Sequence, residues 1–343
     1  MTTPASQPSA LASAVRLTTR PAGTVMIYGC GGGGTNLAKE YVTDGHSADL
    51  AKISVAFLDT SDSNLEDEIA QRAFLFSNPD GTTDGSGSIR AANAELIASQ
   101  LPKALTKYPA QEMNIIVSTA SGGTGNVIAY ELANYMMANK QRFVMILVGT
   151  AEDERKAKNT IQTLASLQNL VEEYKTPLIF HWGFNEPGKP RSGVDKEAHL
   201  MIHALCVLAS RRNHGLDNSD LGSFLNYTLP RPDIQPSLAR IRVFDNVQAF
   251  DQQIEEPISV AYLRRSADDA IPAGFAPYSC DGFLPELAMK ERDGLFFGIE
   301  TKSLHGIQKE LEALRKRLAD QEASRTAAPS FNSAPEKRKL VLD

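Results

Sequence analysis

Two apolar runs in this chain each stop at a cluster of glycines, and each cluster opens a helix. Thr24-Val-Met-Ile-Tyr28 runs into Gly29, Cys30, Gly31, Gly32, Gly33, Gly34, Thr35 and Asn36. Asn114-Ile-Ile-Val-Ser118 runs into Ser121, Gly122, Gly123, Thr124, Gly125 and Asn126. A short apolar, partly β-branched run bounded by glycine reads as a buried strand. Glycines at its end let backbone N–H groups approach an anion, and the helix N-terminus adds partial positive charge. The first loop alone is ambiguous. Gly29-x-Gly31-x-x-Gly34 also fits a dinucleotide fingerprint, and Asp59 ends the next strand where a ribose-binding acid would sit. A NAD-binding Rossmann oxidoreductase is therefore the rival reading. The second loop argues against it, because a dinucleotide fold has no use for another junction of this form. Two such junctions on one sheet edge surround a single multi-phosphate group from two sides.

The remaining pattern extends the same architecture. Further strands are expected at Ile53–Leu58, Phe143–Val148 and Pro177–Trp182. Helices are expected from Thr35 to Thr43, at Ile89–Leu105, Val127–Ala138 and Asn159–Tyr174. Apolar strands alternating with helices predict an α/β fold, a Rossmann-like parallel sheet covered on both faces. A Gly- and Pro-free helical pattern spans Asp195–Arg212. Loops follow from Gly215 to Ile234. Strand candidates at Ile241–Phe244, Ile258–Leu263 and Leu295–Ile299 then suggest a smaller α+β domain. Leu304, Ile307, Leu311, Leu314 and Leu318 repeat at heptad spacing, either as a short coiled-coil seam or as an amphipathic helix packed on its own domain. The expected boundaries are a flexible arm over 1–23, a nucleotide-binding domain over 24–194, a central helix over 195–214, a second domain over 215–303, a helix over 304–325 and a disordered tail over 326–343.

The chain has 343 residues, 42% of them hydrophobic and 22% charged, enough for a large core. Its net charge of −6 argues against a non-specific nucleic-acid binder. Its 3 cysteines, widely spaced, give neither a disulfide framework nor a zinc site. No apolar run reaches the ~20 residues of a membrane span, and the start of the chain lacks the apolar segment of a secretory signal. A cytoplasmic protein with no membrane partner is expected.

The run GCGGGGTN followed by SGGTGN resembles the tubulin and bacterial cell-division tubulin (FtsZ) superfamily. Ser121 stands where that family's phosphate loop has its first glycine. The resemblance covers about residues 24–226 and implies a tubulin-like fold: a GTP-binding domain, a central helix and a C-terminal activation domain. It implies GTP or GDP as ligand, with Mg²⁺ held mainly by phosphates and water and no protein metal ligands. Asp59, Thr60 and Ser61 match the family's second-strand loop. Gly85, Ser86, Gly87 and Ser88 match its γ-phosphate-sensing loop. Glu154 and Lys158 fit its ribose-binding positions, and Asn185 its base-contacting asparagine.

Asp195, early in the long helix, matches a base-reading position. An ionised carboxylate is acceptor-only, so it suits the side-by-side N1–H and 2-amino donors of guanine; the alternative is a first-turn acid of a helix. Asp217 and Asp220 match an NxDxxD loop that completes the next subunit's active site, although Gly215 stands where the family commonly has Asn. Their alternative is an N-capped helix start. Asp195 and Asp217 lie 22 residues apart, about 33 Å if helical throughout. Acids so separated serve one nucleotide only from two subunits, which predicts a head-to-tail homopolymer with a heterologous interface. The short link before the long helix and the leucine-seamed helix near the C-terminus are most similar to the divergent phage tubulins. In that group spindles position phage DNA in the host cytoplasm, without direct nucleic-acid binding by the subunit. That group's tail is acidic, whereas this one is mixed. A plasmid-partition or cell-division tubulin homologue is the alternative.

Overall fold

A computed structural model describes residues 21–42, 50–82, 85–150, 152–185, 190–254, 256–274, 276–285 and 293–326. The tail and nearly all of the N-terminal arm lie outside the described residues. Six strands form here, β1 (Thr24–Cys30), β2 (Lys52–Asp59), β3 (Ala73–Leu75), β4 (Met113–Thr119), β5 (Phe143–Thr150) and β6 (Leu178–Asn185), and all but the short β3 follow the expected pattern. Between them lie α1 (Gly31–Ala38), α2 (Asp67–Ala70), α3 (Ala94–Lys107), α4 (Thr124–Ala138) and α5 (Glu154–Tyr174). The central helix is α6 (Ser192–Leu208). After it come α7 (Asn218–Leu225), β7 (Leu238–Phe244), α8 (Val247–Gln253), β8 (Ser259–Arg264), β9 (Tyr278–Phe283), β10 (Gly294–Glu300) and α9 (Lys302–Thr326).

All ten strands form one sheet, in the order β3-β2-β1-β4-β5-β6-β7-β10-β8-β9. From β3 to β7 every pairing is parallel, whereas β10 runs antiparallel to β7 and β8. The strands of the expected smaller domain thus extend the first sheet. The joint is narrow, since β7 pairs with β6 only from Leu178↔Leu238 to Phe180↔Arg240. The order reverses between β1 and β4, and ligands of open parallel sheets bind at the carboxyl ends of the strands at such a reversal. Both glycine loops leave from this point.

The sheet is apolar on both faces because each face is covered. On one side Leu37 and Ala38 of α1 pack with Met201, Ile202 and Leu205 of α6. On the other, Ile97, Leu132, Leu167 and Leu311 come from α3, α4, α5 and α9. Ile307 and Leu311 of the heptad pattern are buried in this core and α9 packs along α5, so the seam is an amphipathic helix docked on its own chain.

Several helix boundaries differ from expectation, α5 for instance beginning at Glu154 rather than Asn159, and three of the differences have clear local reasons. Helix α1 begins at Gly31, not at Thr35, because the glycines themselves form its first turn. Helix α3 begins at Ala94 rather than Ile89. The preceding stretch is drawn into the loop cluster described below. Helix α6 ends at Leu208 instead of running to Arg212. Asn213 Nδ2 donates to the carbonyls of Val207 (3.2 Å) and Leu208 (2.9 Å), and Arg211 adopts a left-handed φ of 60°. The polypeptide between Asp195 and Asp217 is therefore helical only in its first part.

Candidate functional site

The two glycine loops touch. A β-carbon on Gly31 would lie 2.7 Å from Gly125 Cα, and one on Gly125 would lie 2.5 Å from the Cys30 carbonyl oxygen. Gly31 also has a φ of +66°, a left-handed conformation that side chains rarely adopt. Residues 29–36 and 121–126 thus form one surface, as two junctions cradling a single group require. Neither helix that opens there has a side-chain cap: Cys30 precedes α1, Gly123 precedes α4, and neither supplies a capping hydrogen bond. Helices α5, α7 and α8 are capped by Asp153, Asp217 and Asn246, whereas α2, α3 and α6 also lack a side-chain cap. Uncapped first-turn N–H groups on adjacent helices are the donors an anion uses. Thr35 adds a buried hydroxyl with no hydrogen-bond partner.

Not every residue of the loops faces the cradle. A β-carbon on Gly34 would run into the Val117 carbonyl and one on Gly33 into Thr119, so these glycines let α1 lie against β4. Asn126 is fully buried; its Nδ2 donates to Ala120 O (3.2 Å), Gly122 O (2.5 Å) and Thr163 Oγ1 (3.1 Å). It braces the second loop from beneath. Cys30 is buried, with its thiol 3.6 Å from the Tyr28 carbonyl, and burial pushes its pKa well up. Gly29 packs against Ala38 and Gly34.

Two further loops close on this pair. Thr60 Oγ1 lies 3.1 Å from Thr124 Oγ1 and accepts from Asn93 Nδ2 at 3.1 Å. Asp59 accepts from the Thr60 N–H at 2.8 Å, and burial lifts its carboxyl to about 6 against the opposing pull of the Thr60 and Ser61 amides. Ser61 hydrogen-bonds Ser63 (3.0 Å), and the Asn64 side chain lies over Gly32. The segment Gly85–Ser88 covers the second loop: a β-carbon on Gly123 would meet Ser86 Oγ and come 2.8 Å from the Ile89 nitrogen. Gly87 (φ 54°) and Ser88 (φ 64°) both take left-handed conformations to make this turn. Asn159 Nδ2 ties Ser88 O (3.0 Å) to Ser121 O (3.1 Å), and Arg155 donates to Gly87 O at 3.4 Å.

Glu154 (half-buried) and Lys158 (exposed) border a cleft of about 530 Å³ with Ser88, Asp153, Arg155 and Lys156. Glu152 pairs with Lys156 and with Arg191, joining the start of α5 to the approach of α6; both cations hold its carboxyl low. Asn185 ends β6 with its Oδ1 buried and unpartnered. It lines a groove of about 470 Å³ with Gly193, Val194, Trp182 and Phe184. Asp195 is half-buried in the first turn of α6, within a few residues of this groove. Sequence reasoning missed Asn64, Asn93, Asn159 and Arg155. Of these, Asn159 carries a signal, a polar cluster with Thr160 and Thr163 on the buried side of a helix.

The remaining acids stand elsewhere. Asp217 and Asp220 form the capping box of α7: Asp217 Oδ1 accepts from the N–H groups of Ser219 (2.6 Å) and Asp220 (3.0 Å), and Asp220 Oδ2 accepts from the Asp217 N–H (3.0 Å). Asp217 is exposed. Arg142, the residue before β5, donates to the Asn218 carbonyl at 2.9 Å. The pair therefore lies at the amino edge of the sheet, while the glycine loops lie at its carboxyl edge. β5 alone spans 8 residues, or about 26 Å at ~3.3 Å per residue. The two groups occupy opposite poles of the subunit, and the sheet sets their separation more than the shortened central helix does. Among the described residues no group of three or more His, Cys, Asp or Glu side chains could hold a metal ion, and no helix is long and apolar enough to cross a membrane.

The chain is similar to several known proteins. The phage tubulin-like protein of Pseudomonas phage PhiPA3 is 30% identical over 249 residues, covering 72% of this chain and 75% of that protein. The phage tubulin-like protein of Pseudomonas phage phiKZ is 24% identical over 307 residues, 85% of this chain and 89% of that protein. Among solved structures, a protofilament of TubZ from bacteriophage PhiKZ superposes with a TM-score of 0.80 at 23% identity, covering 93% of this chain and 99% of that one. The phage tubulin PhuZ with GDP gives 0.81 at 20% identity, covering 91% and 96%. No protein-family model matches the chain.

Proposed function

The chain belongs to the phage tubulin-like proteins, and from that premise we propose that it binds and hydrolyses GTP and polymerises head to tail, each site being completed by the next subunit. The observation that carries this reading is the polar separation of the glycine cradle from the Asp217–Asp220 box. One subunit holds both halves of a phosphoryl-transfer site and cannot bring them together, whereas translation of a copy along the filament axis does.

In this mechanism the uncapped N–H groups of α1 and α4 bind the phosphates, and Thr35 donates its hydroxyl to them. Asp195 accepts from the guanine edge and Asn185 supports it, which sets selectivity against adenine. Glu154 and Lys158 hold the sugar, and Ser86 and Ser88 contact the terminal phosphate. Mg²⁺, when bound with the nucleotide, neutralises charge on the phosphates. Asp217 and Asp220 of the adjoining subunit orient and polarise the attacking water, the positioning role that dominates phosphoryl transfer. As Asp217 also caps α7, the helix fixes the carboxylate direction before the interface forms.

The cellular role we propose is a spindle that positions phage DNA in the host cytoplasm. The DNA is contacted through other components, since a net charge of −6 disfavours direct binding. A labelled chain that forms no filaments beside phage DNA in infected cells would remove that role. The biochemical test is dilution. Phosphate release per subunit should fall steeply once total protein drops below the concentration at which polymer disappears. Release per subunit that stays constant through that range contradicts the trans mechanism.

A further inference from the structure

The first turn of α7 is held by a polar network at the amino edge of the sheet. Arg142 Nη2 donates to the Asn218 carbonyl at 2.9 Å, approaching across Gly222, where a β-carbon would stand 3.2 Å from the same nitrogen. Arg211 reaches the same residue from the turn after α6. With the Asn218 amide oxygen turned toward it, Arg211 donates through Nε at 3.2 Å and Nη2 at 2.8 Å. Glu112, the residue before β4, pairs with Arg211. Two strand entries and the end of the central helix therefore converge on the residue between the two halves of the capping box.

This arrangement differs from ordinary surface ion pairing. Arg142 is partly desolvated, which lowers its pKa, and its target is a main-chain carbonyl in the first turn of a helix. A guanidinium placed there fixes the pitch of the turn, and so the direction of the carboxylates at Asp217 and Asp220. Planar, forked donors hold a direction that a single ammonium does not. We propose that Arg142 and Arg211, with Glu112 holding Arg211, are positioning residues for the hydrolytic acids. They aim the box at the neighbouring subunit's phosphate site without touching the nucleotide. The inference rests on the proposed function and deepens it.

The test uses full-length chain assembled with GTP, with phosphate release divided by pelleted subunits. Arg142→Met should lower kcat per assembled subunit by about ten- to a hundredfold, because the acids remain but their direction is lost. KM for GTP and GTP affinity of the dilute subunit should not change, since the cradle is at the other pole. Arg142→Lys should recover only part of the rate. Glu112→Gln, at an exposed carboxylate, should shift kcat the same way by less, and carries the test if Arg142→Met melts early. Asp217→Asn serves as control. Full kcat in Arg142→Met and Glu112→Gln beside an inert Asp217→Asn overturns the positioning role and leaves the proposed function standing. Full kcat in Asp217→Asn overturns both. A joint loss of GTP affinity and kcat in both Arg142→Met and Glu112→Gln points to general damage and also overturns the positioning role.

Discussion

Gly125 and Gly122 sit three residues apart in one loop, yet they answer to different constraints. Gly125 has the Cys30 carbonyl 2.5 Å from where a β-carbon would go, so neither backbone can yield cheaply. Gly125→Ala should cost about 1–3 kcal/mol, as overpacking does, and denaturant melts of the nucleotide-free protein measure it. Gly122 is half-exposed, and its nearest neighbour at 3.1 Å is the Thr119 hydroxyl. Gly122→Asp should leave the fold intact and repel the triphosphate. At Asp195, an amide in place of the carboxylate still accepts from N1–H but now donates where guanine also donates. Asp195→Asn should therefore weaken GTP and strengthen xanthosine triphosphate, which offers an acceptor there. Unaltered guanine preference in competition binding would remove Asp195 from base reading. His181 carries a pH prediction. Burial first, and then the positive charge of Arg240, hold its imidazole at about 4 against the opposing pull of a backbone contact with Ile241. Its contribution to stability is fully present above the ordinary 6.5 and is lost as pH falls from there towards 4. The shift corresponds to roughly 3 kcal/mol. Asp59, raised from 3.8 to about 6, acts in the opposite sense, adding stability as pH falls through the same window. The stability of wild type minus that of His181→Phe isolates the histidine. It should fall by roughly 3 kcal/mol between pH 7 and pH 4, and a difference independent of pH would contradict this.

At the scale of elements, strands were legible because apolar runs bounded by glycine have one stable environment, the middle of a covered sheet. Helix ends were less so. The sequence places Asp217 and Asp220 three apart, and both the cap and the interface readings fit that spacing. The structure makes them a capping box, and the box leaves Asp217 exposed at a pole, so the cap and the interface are compatible. Substitution separates the two roles. Asn caps helices as well as Asp does, whereas Ala costs about 1 kcal/mol. Asp217→Asn should keep the melting temperature of α7 and its surroundings and lose hydrolysis, while Asp217→Ala should lose both. An Asp217→Asn protein that hydrolyses GTP at the full rate would leave the acid with a capping role alone. The end of α6 was not legible, because it depends on Asn213 turning back to the Val207 and Leu208 carbonyls. The contact that Asn93 makes with Thr60 beside the glycine loops was likewise beyond the pattern, as a lone polar residue carries no periodicity.

For the whole molecule, one continuous sheet of ten strands fixes a direction. The two glycine loops are at the carboxyl ends of the parallel strands, and the Asp217–Asp220 box is at the amino ends. The sequence anticipated this polarity through the spacing of Asp195 and Asp217, though by way of a helix longer than the one that forms. The continuity of the sheet through β7 was hidden, because only three residue pairs make the joint. Docking one pole of a subunit on the opposite pole of the next is a heterologous contact, and when its rotation does not close a ring it propagates as a filament. The most direct measurement mixes two inert variants. Gly122→Asp subunits lack a working cradle but keep their acids, and Asp217→Asn subunits keep the cradle and lack the acid. In equal amounts about a quarter of random head-to-tail contacts pair a sound cradle with sound acids, so GTP hydrolysis should return to about that fraction of wild type. Co-sedimenting variants that stay inert together would contradict a site shared between subunits.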